Sequence, residues 1–324
     1  SRDAVNRPRE TLGDSHLISS DPRSRFGLVC DLLCCRGNTR LKIAGARLLY
    51  KVATSVVGKS KRIIKRGGIA YEVDLSEGID LSLFLFGGYQ KHVLRNKFAQ
   101  LRPDSVVFDV GANFGTMTLE FARACPRGKV FAFEPTHYAL ARLKRNLELN
   151  PDLAGRVEVI NSFVTKQSSA NPSIVAYSSW KVDGGRTGKE HPVHLGTPQS
   201  ADGVPAISLD DFCSCQQLQR VDFIKIDTDG HEHEVLLGAH ETIGRYRPLV
   251  LFEIGQYVMD ESNISFGFYY DFFNKLNYSL FDTKTSRPVS PDDYRGCIPA
   301  QGTTDLIAVP QNRLDLPLPH RSGD

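Results

Sequence analysis

The chain has 324 residues, of which 41% are hydrophobic and 24% are charged, a composition typical of a folded protein with one sizeable core and appendages. No apolar run approaches the roughly 18 to 20 residues that a membrane-spanning helix needs. The net charge of +3 is unevenly placed, because residues 1–70 contain 15 Lys and Arg against 5 Asp and Glu.

Residues 1–66 are predicted to form a basic N-terminal arm. Residues 1–25 have no apolar period and are expected to lack fixed structure. Between residues 41 and 57 apolar side chains recur with helical spacing, and this helix is expected to pack on the main domain. Two alternatives stay open: peripheral membrane contact through residues 41–66, and binding of nucleic acid or another acidic partner. The basic residues on or beside the helical stripe are Lys42, Lys51, Lys59, Lys61 and Arg62.

The seven cysteines form neither pairs with zinc-ligand spacing nor a disulfide framework. We therefore expect reduced structural thiols in a cytoplasmic protein. They are Cys30, Cys34, Cys35, Cys125, Cys213, Cys215 and Cys297.

Residues 67–310 are predicted to form the main domain, followed by a loose tail at 311–324. A strand is expected at Ile69–Leu75 and the end of a helix at Leu94–Leu101. From Ser105 onward, apolar runs alternate with amphipathic stretches, which indicates a Rossmann-like α/β three-layer sandwich with a mostly parallel sheet. The predicted strands are SVVFDV, KVFAFEP, RVEVIN, VDFIKID, PLVLFEI, YSLFDT and DLIAVP, and the predicted helices are TMTLEFARAC, THYALARLKRNLELN, EHEVLLGAHETIGRY and FGFYYDFFNKLN.

A polar insert near residues 166–206 interrupts this alternation. Strands are expected within it at SIVAYSSW and AISLDDF. A connection of this length is uncommon unless it serves a function or is disordered. Together with the region from Leu81 to His92, it is expected to shape an acceptor pocket.

A glycine-bearing turn follows the first core strand. The strand ends at Asp109, and the turn from Gly111 through Asn113 to Gly115 leads into a helix. The two glycines allow the backbone to approach a ligand closely, and the helix N-terminus favours an anionic group. Asp109 is expected to accept hydrogen bonds from a bound ammonium group or from the loop itself. Asn113 stands where a nicotinamide-binding G-x-G-x-x-G loop has its second glycine, which argues against that cofactor.

Glu134 closes the next strand, 25 residues after Asp109. A carboxylate at this position can accept hydrogen bonds from both hydroxyls of a ribose and would repel a ribose phosphate. The glycine turn and Glu134 together predict a site for S-adenosyl-L-methionine, an adenosine with an amino-acid tail.

The chain resembles the FkbM family of S-adenosylmethionine-dependent methyltransferases from about Tyr71 to Pro310. The resemblance is carried by the stretches FDVGANFGTMT, FAFEP, VEVINSFVT, ISLDDF, IKIDTDGHEHEVLLGA and LVLFEI. The resemblance implies a class I methyltransferase fold, with a seven-stranded sheet whose last strand is antiparallel, and O-methylation of small molecules or sugars. It also implies a cofactor loop at Asp109, Gly111, Asn113 and Gly115, a ribose ligand at Glu134, and an adenine site beside Ser162 and Phe163. The chain departs from the family at Gln90, where an acidic residue is common, and at Asp229, where Glu is common.

The acceptor side is expected where the fourth core strand ends. Asp227 is the main candidate for the base, or for the residue that orients the acceptor hydroxyl, and hydrogen bonding to loop amides is its alternative role. Asp229 and His231 are further catalytic candidates. Methyl transfer does not require a metal, so none is predicted. Glu253 and Tyr89 are expected to contact the substrate.

Two neighbouring charged residues are assigned structural roles. Glu232 begins the next helix, where an acidic side chain interacts favourably with the helix dipole. Lys225, inside the strand, is expected to pair with a carboxylate.

The leading prediction is an S-adenosylmethionine-dependent O-methyltransferase that acts on a hydroxyl of a small molecule or glycan. Two alternatives stay open. One is an RNA-directed methyltransferase that uses the basic arm, with an affinity that falls as salt rises. The other is a non-catalytic binding module with a methyltransferase fold. The acceptor and the oligomeric state are left undetermined.

Overall fold

The computed structural model describes residues 60–88, 90–170, 172, 174–178, 181–183, 188–190, 196–300 and 302–314, and before them 49–51, 54–55 and 58. Residues 49–51 and 54–55 are helical, in agreement with the predicted apolar stripe. Most of the predicted arm, Cys30, Cys34, Cys35, Tyr89 and the tail from residue 315 onward lie outside the described residues.

A β-hairpin precedes the main alternation. β1 (Lys61–Arg66) pairs antiparallel with β2 (Ile69–Asp74) through a two-residue turn in which Gly67 and Gly68 both have positive φ. Alternate residues of β2 are buried against the domain. The hairpin crosses the boundary predicted between residues 66 and 67. It also places Lys61 in a strand rather than beside a helix.

The remaining strands and helices follow in chain order. The strands are β3 (Val106–Val110), β4 (Lys129–Phe133), β5 (Val157–Ile160), β6 (Phe163–Val164), β7 (Ala176–Ser178), β8 (Thr197–Gln199), β9 (Ala206–Ile207), β10 (Phe223–Ile226), β11 (Leu249–Ile254), β12 (Tyr278–Asp282) and β13 (Thr304–Pro310). The α-helices are α1 (Gly78–Phe86), α2 (Lys91–Arg95), α3 (Thr116–Ala124), α4 (His137–Glu148), α5 (Pro151–Ala154), α6 (Leu209–Cys215), α7 (Glu232–Leu237), α8 (His240–Tyr246), α9 (Gln256–Glu261), α10 (Phe266–Lys275) and α11 (Gln311–Leu314), and a 3-10 helix spans Tyr294–Gly296.

Among the described residues, seven strands form one sheet in the order β12-β13-β11-β10-β3-β4-β5. β13 runs antiparallel to both of its neighbours, and all other pairs are parallel. The predicted seven-stranded, mostly parallel sheet with an antiparallel last strand is therefore confirmed. Strand order reverses between β3 and β10, and ligands of such sheets bind at the carboxyl ends of the strands beside that reversal.

Helices cover both faces of the sheet. On one face Phe108 of β3 packs in a core with Phe212 of α6 and with α10. On the other face Val107 of β3 packs with Phe121 of α3. Successive strand residues point to opposite faces, so both layers are built from the same apolar runs. Within the described ranges, none of the helices has the length and apolarity that a bilayer crossing demands.

The stretch AISLDDF, predicted as a strand, is extended only at β9 and then becomes α6. Ser208 stops the extended segment, because its hydroxyl accepts a hydrogen bond from the Asp211 N–H at 3.0 Å and caps the helix. Asp210 and Asp211 in the first turn also favour the helix N-terminus. The strand prediction was wrong because this capping signal outweighs the apolar alternation.

The helix predicted over residues 232–246 is divided into α7 and α8. A Cβ on Gly238, at the break, would overlap the carbonyl oxygen of Thr165. Asp210 then accepts a hydrogen bond from the Thr242 N–H at 2.7 Å, at the start of α8. Both contacts come from distant parts of the chain, so helical periodicity did not reveal the break.

Other differences concern the helices. α2 ends at Arg95, earlier than the predicted end at Leu94–Leu101, and the Asn96 amide donates a hydrogen bond to the Thr283 carbonyl at 2.7 Å. Helices α1, α5, α9 and α11 were not predicted.

The polar insert is attached to the domain at several described points. β6 pairs parallel with β9, and β7 pairs antiparallel with β8, so the predicted strand SIVAYSSW corresponds in part to β7. The Val182 N–H donates to the Ser76 carbonyl at 2.7 Å, and Lys181 forms an ion pair with the buried carboxylate of Glu77. The insert is thereby joined to the segment that begins α1.

Candidate active site

A cleft lies at the carboxyl ends of β3, β4 and β10, beside the reversal of strand order. The turns after these strands form part of its wall, and residues of β6 and β7 complete it. Eight predicted site residues line the cleft: Gly111, Asn113, Glu134, Ser162, Phe163, Asp227, Asp229 and His231. Asp109, Gly115 and Glu253 are not among the lining residues, and Tyr89 lies outside the described part of the chain.

The turn after β3 is packed directly against the turn after β10. Gly111 has φ 78°, and its N–H donates to the Phe133 carbonyl at 3.0 Å. A Cβ on Gly111 would overlap the carbonyl oxygen of Asp227, so only glycine allows this approach. Asn113 has φ 49°, and its N–H points to the Glu134 carboxylate. The turn therefore presents backbone to the cleft, as the sequence predicts.

Gly115 has a structural role in this turn. It is the N-cap of α3 with φ 90°, and a Cβ there would overlap the side chain of Leu143. Gly115 therefore allows close packing of α3 against α4, and its predicted ligand contact stays a prediction.

Glu134 lies at the end of β4 with three hydrogen bonds to its carboxylate. Oε1 accepts from the N–H and the hydroxyl of Thr136, at 2.9 and 2.6 Å, and Oε2 accepts from the Asn113 N–H at 2.9 Å. Burial raises the pKa of Glu134, and these hydrogen bonds oppose the shift. A carboxylate accepts about four hydrogen bonds. One site on Oε2 therefore remains for a ligand, not the two that contact with both ribose hydroxyls would use.

Asp109 faces away from the cleft, because strand alternation turns it toward α3. Its Oδ2 accepts a hydrogen bond from the Thr118 hydroxyl at 2.6 Å, and its Oδ1 lies 3.7 Å from the ammonium of Lys225. Burial raises the pKa of Asp109, opposed by Lys225 and Thr118. Asp109 thus forms an internal ion pair beneath the turn, and its predicted hydrogen bond to a ligand ammonium group or to the loop stays a prediction.

Lys225 joins two carboxylates inside the sheet. Its ammonium lies 3.0 Å from Asp227 Oδ2 and 3.7 Å from Asp109 Oδ1. Burial alone would lower the pKa of Lys225, but the charges of Asp227 and Asp109 raise it above its usual value. Lys225 is thus charged at neutral pH, and the predicted pairing with a carboxylate is found.

Asp227 is held by two donors and faces the cleft. Its Oδ2 accepts from Lys225 and, at 2.9 Å, from the Nε2 of Gln90. The side chain is 20% exposed, so the carboxylate is still accessible from the cleft. The alternative role predicted for Asp227, bonding to loop amides, is replaced by these side-chain bonds. Sequence reasoning noted Gln90 only as a departure from a family pattern, and no local signal connects it with Asp227.

Glu232 fixes the turn that carries Asp229. Its buried Oε1 accepts hydrogen bonds from the Thr228 N–H at 2.8 Å, the Thr228 hydroxyl at 3.1 Å and the Gly230 N–H at 3.2 Å. Asp229 has φ 51°, and its exposed side chain lines the cleft. Desolvation by the walls of the cleft, and then the charge of Asp227, raise the pKa of Asp229 well above its ordinary range.

His231 lies in the turn after β10 and lines the cleft, as does Val175 of the insert. Burial lowers the pKa of His231, partly opposed by the backbone of Val175 and by the charge of Glu234. The imidazole is therefore neutral at pH 7 and available as an acceptor or donor.

An apolar slot occupies the side of the cleft next to β6. Phe163, Val164 and Ile174 line it, and Ser162 stands at its edge. The Ser162 hydroxyl donates to the Pro205 carbonyl at 2.9 Å. Such a surface suits the face of a flat heteroaromatic ring.

Glu253 lies at the end of β11, where Oε1 accepts from the Thr303 hydroxyl at 2.5 Å. Burial, and then the charges of Asp227 and Asp305, raise its pKa well above the usual value. Its predicted substrate contact stays a prediction. In the described ranges, no group of three or more His, Cys, Asp or Glu side chains has a metal-binding arrangement.

A sequence profile of the Methyltransferase FkbM domain matches residues 109–280, which is more than half of the chain. The chain belongs to the FkbM methyltransferase family. The matched segment contains the turn after β3, Glu134 and the turn after β10, and so includes the cleft of this FkbM domain.

Relatives of this FkbM-family chain include three named methyltransferases. The 2-O-methyltransferase NoeI of Sinorhizobium fredii is 30% identical over 160 residues, which cover 45% of this chain and 62% of the relative. The hexuronic acid methyltransferase AglP of Haloferax volcanii is 26% identical over 152 residues, covering 46% and 56%. The 31-O-demethyl-FK506 methyltransferase FkbM of Streptomyces tacrolimicus is 27% identical over 162 residues, covering 44% and 62%. The match therefore spans about three fifths of the length of these relatives.

Among solved structures, the chain is similar to the methyltransferase FkbM from Methylobacillus flagellatus, with a TM-score of 0.43 and 17% identity. The similarity covers 71% of this chain and 53% of that one.

Proposed function

We propose that this chain is an S-adenosylmethionine-dependent O-methyltransferase that acts on a hydroxyl of a small molecule or glycan. The observation that carries the proposal is the cleft of an FkbM-family domain, in which the turn at Gly111 and Asn113 is bonded to Glu134 beside an apolar slot. Each part of this cleft corresponds to one part of the cofactor.

The residues present fit an adenosine with an amino-acid tail. Glu134 keeps one acceptor site for a ribose hydroxyl, and the slot at Phe163 and Ile174 suits the purine ring. Gly111 lines the cleft at the turn after β3, and we assign this turn to the methionyl group. The carboxylates of Asp227 and Asp229 favour a cationic ligand in the cleft. When bound, the cofactor supplies a methyl group on a positively charged sulfur.

Asp227 is assigned to the acceptor. Its Oδ2 is fixed by Lys225 and Gln90, whereas its Oδ1 has no hydrogen bond within the described part of the chain. The acceptor hydroxyl oxygen forms a bond to the methyl carbon while the carbon–sulfur bond breaks and its electron pair goes to sulfur. The hydroxyl proton passes to Asp227. His231, neutral at pH 7, is a second candidate for that proton.

The relatives support an oxygen acceptor. Two of their names specify O-methylation, at a 2-O position and on 31-O-demethyl-FK506, and a third specifies a hexuronic acid. These names describe those proteins, and they guide the choice of compounds to test. The RNA-directed and non-catalytic alternatives gain no support from the described residues. A cytoplasmic location and peripheral membrane contact stay predictions.

Calorimetric titration with S-adenosylmethionine, S-adenosylhomocysteine and NAD tests the cofactor. We expect micromolar-range binding of the first two and none of NAD, and the opposite pattern overturns the assignment. Transfer of a labelled methyl group is then measured on methyl glycosides, methyl glucuronides, polyketide alcohols and RNA. Label on a sugar or polyketide hydroxyl supports the proposal, and label on RNA alone would favour the RNA-directed alternative.

A further inference from the structure

Gln90 contacts Asp227 although 137 residues separate them in the sequence. The Nε2 of Gln90 donates to Asp227 Oδ2 at 2.9 Å, and the ammonium of Lys225 approaches the same oxygen at 3.0 Å. Two donors from different elements therefore fix one oxygen of a carboxylate that lines the cleft.

The backbone of Gln90 has a conformation that glutamine rarely adopts. Its φ is 48°, in the left-handed region, and its carbonyl accepts the Val93 N–H at 3.0 Å at the start of α2. Its Oε1 is buried and has no hydrogen-bond partner among the residues that the structure describes. Strained backbone and unmet polar atoms are enriched at functional sites.

The groups around Asp227 are mostly acidic. One cation, Lys225, pairs with it in the described structure, and four carboxyls also interact with its charge. These carboxyls are Asp109 on β3, Asp229 in the following turn, Glu232 on α7 and Glu253 on β11. The amide of Gln90 supplies a second donor without adding a charge, whereas a carboxylate at position 90 would repel Asp227.

We propose that Gln90 is a positioning residue for methyl transfer. Its amide holds Asp227 Oδ2 without adding a charge, which leaves Oδ1 for the acceptor hydroxyl. This inference rests on the proposed function. The proton leaves the hydroxyl as its oxygen bonds to the methyl carbon and the carbon–sulfur electron pair moves to sulfur.

Three variants separate positioning from general stability. Gln90→Met keeps the side-chain length and removes both polar atoms, and Gln90→Glu keeps the shape and adds a charge. Gln217→Glu is the matched control. Gln217 also has a positive φ, 52°, but it is exposed between α6 and β10, at the end of β10 opposite to the cleft.

The first readout is transfer from labelled S-adenosylmethionine to a methyl glycoside. We expect Gln90→Met to lower kcat about tenfold or more at every pH. Gln90→Glu should move the acid limb of the kcat profile about one unit to higher pH, because two adjacent carboxyls share a proton. The affinity for S-adenosylhomocysteine should stay within about threefold, and Gln217→Glu should match the wild type in every assay.

Wild-type kcat profiles in both Gln90 variants would overturn this inference and leave the proposed function standing. A wild-type protein that binds no S-adenosylhomocysteine and methylates no probe would overturn the proposed function, and this inference with it.

A second readout needs no acceptor. Thermal unfolding of Gln90→Glu between pH 5 and pH 8 should show a Tm deficit, relative to the wild type, that widens as pH rises. The introduced carboxyl binds its proton more tightly beside Asp227 in the folded state, so stability is lost as that proton leaves. Adding Asp227→Asn should abolish the pH dependence. If the Tm values of Gln90→Glu and Gln217→Glu show the same pH dependence, a carboxyl at position 90 does not interact with Asp227, and the inference fails.

Discussion

Glu134 at the end of β4 accepts the backbone N–H of Asn113 at 2.9 Å, which couples the turn after β3 to the neighbouring strand. The remaining bonds to Glu134 come from Thr136, the N-cap of α4. One side chain therefore fixes two backbone segments and still has an acceptor site in the cleft.

Replacing Glu134 with alanine should weaken cofactor binding. The change removes the ribose acceptor and releases the Asn113 N–H, a loss of about 1–3 kcal/mol, or roughly 5- to 150-fold in Kd. Calorimetry with S-adenosylhomocysteine measures it, with Glu148→Ala as the control, because Glu148 is 66% exposed near the other end of α4. Equal affinity in Glu134→Ala and the wild type would show that the ribose lies elsewhere.

Asp227→Asn should lower turnover and spare cofactor binding. Loss of a positioned proton acceptor reduces kcat by about 10²- to 10⁴-fold. The affinity for S-adenosylhomocysteine should change less than about threefold, because the turn at Gly111 keeps its contact with the Asp227 carbonyl. The control is Asp152→Asn on the exposed start of α5. An unchanged kcat would remove Asp227 from the catalytic mechanism.

Lys225→Met should destabilise the fold strongly. It leaves Asp109 and Asp227 without the cation between them, and breaking such a buried pair typically costs about 3–5 kcal/mol. The loss of Tm should be larger at pH 8 than at pH 5, where the freed carboxyls take up protons. Asp109→Asn in the same chain should restore part of the stability. A Tm within experimental error of the wild type would contradict the ion-pair assignment.

Glu253→Gln should stabilise the protein at high pH. Burial, and then Asp227 and Asp305, raise the pKa of Glu253 above its unfolded value. The stabilising contribution of Glu253 to the free energy of unfolding is therefore complete below its pKa in the unfolded state. That contribution is lost as pH rises through its pKa in the folded state. Thermal unfolding from pH 4 to pH 8 should show a Tm gain that appears only toward pH 8. A gain of equal size at pH 4 would mean that charge is not the cause.

The sheet and the composition of the cleft were largely predictable from local pattern. Apolar runs such as VVFDV are typical of buried strands. Glu134 and Asp227 lie at strand ends, which the topology of the sheet brings together at one cleft. The orientation of the Asp109 side chain was harder to predict from the sequence. Its position at a strand end suggested a ligand contact, whereas the alternation of Val107 and Phe108 between faces turns it toward α3.

The contacts that local pattern missed are those between distant segments. The break at Gly238 depends on the carbonyl of Thr165, and the fixing of Asp227 depends on Gln90. Neither contact leaves a periodicity or a motif in the sequence. Only the assembled sheet brings these residues into contact.

The strip of the insert at residues 174–177 lines the cleft, and it is fastened at two points. β7 is paired with β8, and Lys181 beyond it is paired with Glu77. A molecule held there contacts a strip of chain that moves away only when one fastening opens. We therefore expect this strip to govern the residence time of a product more than the rate at which a fresh molecule arrives.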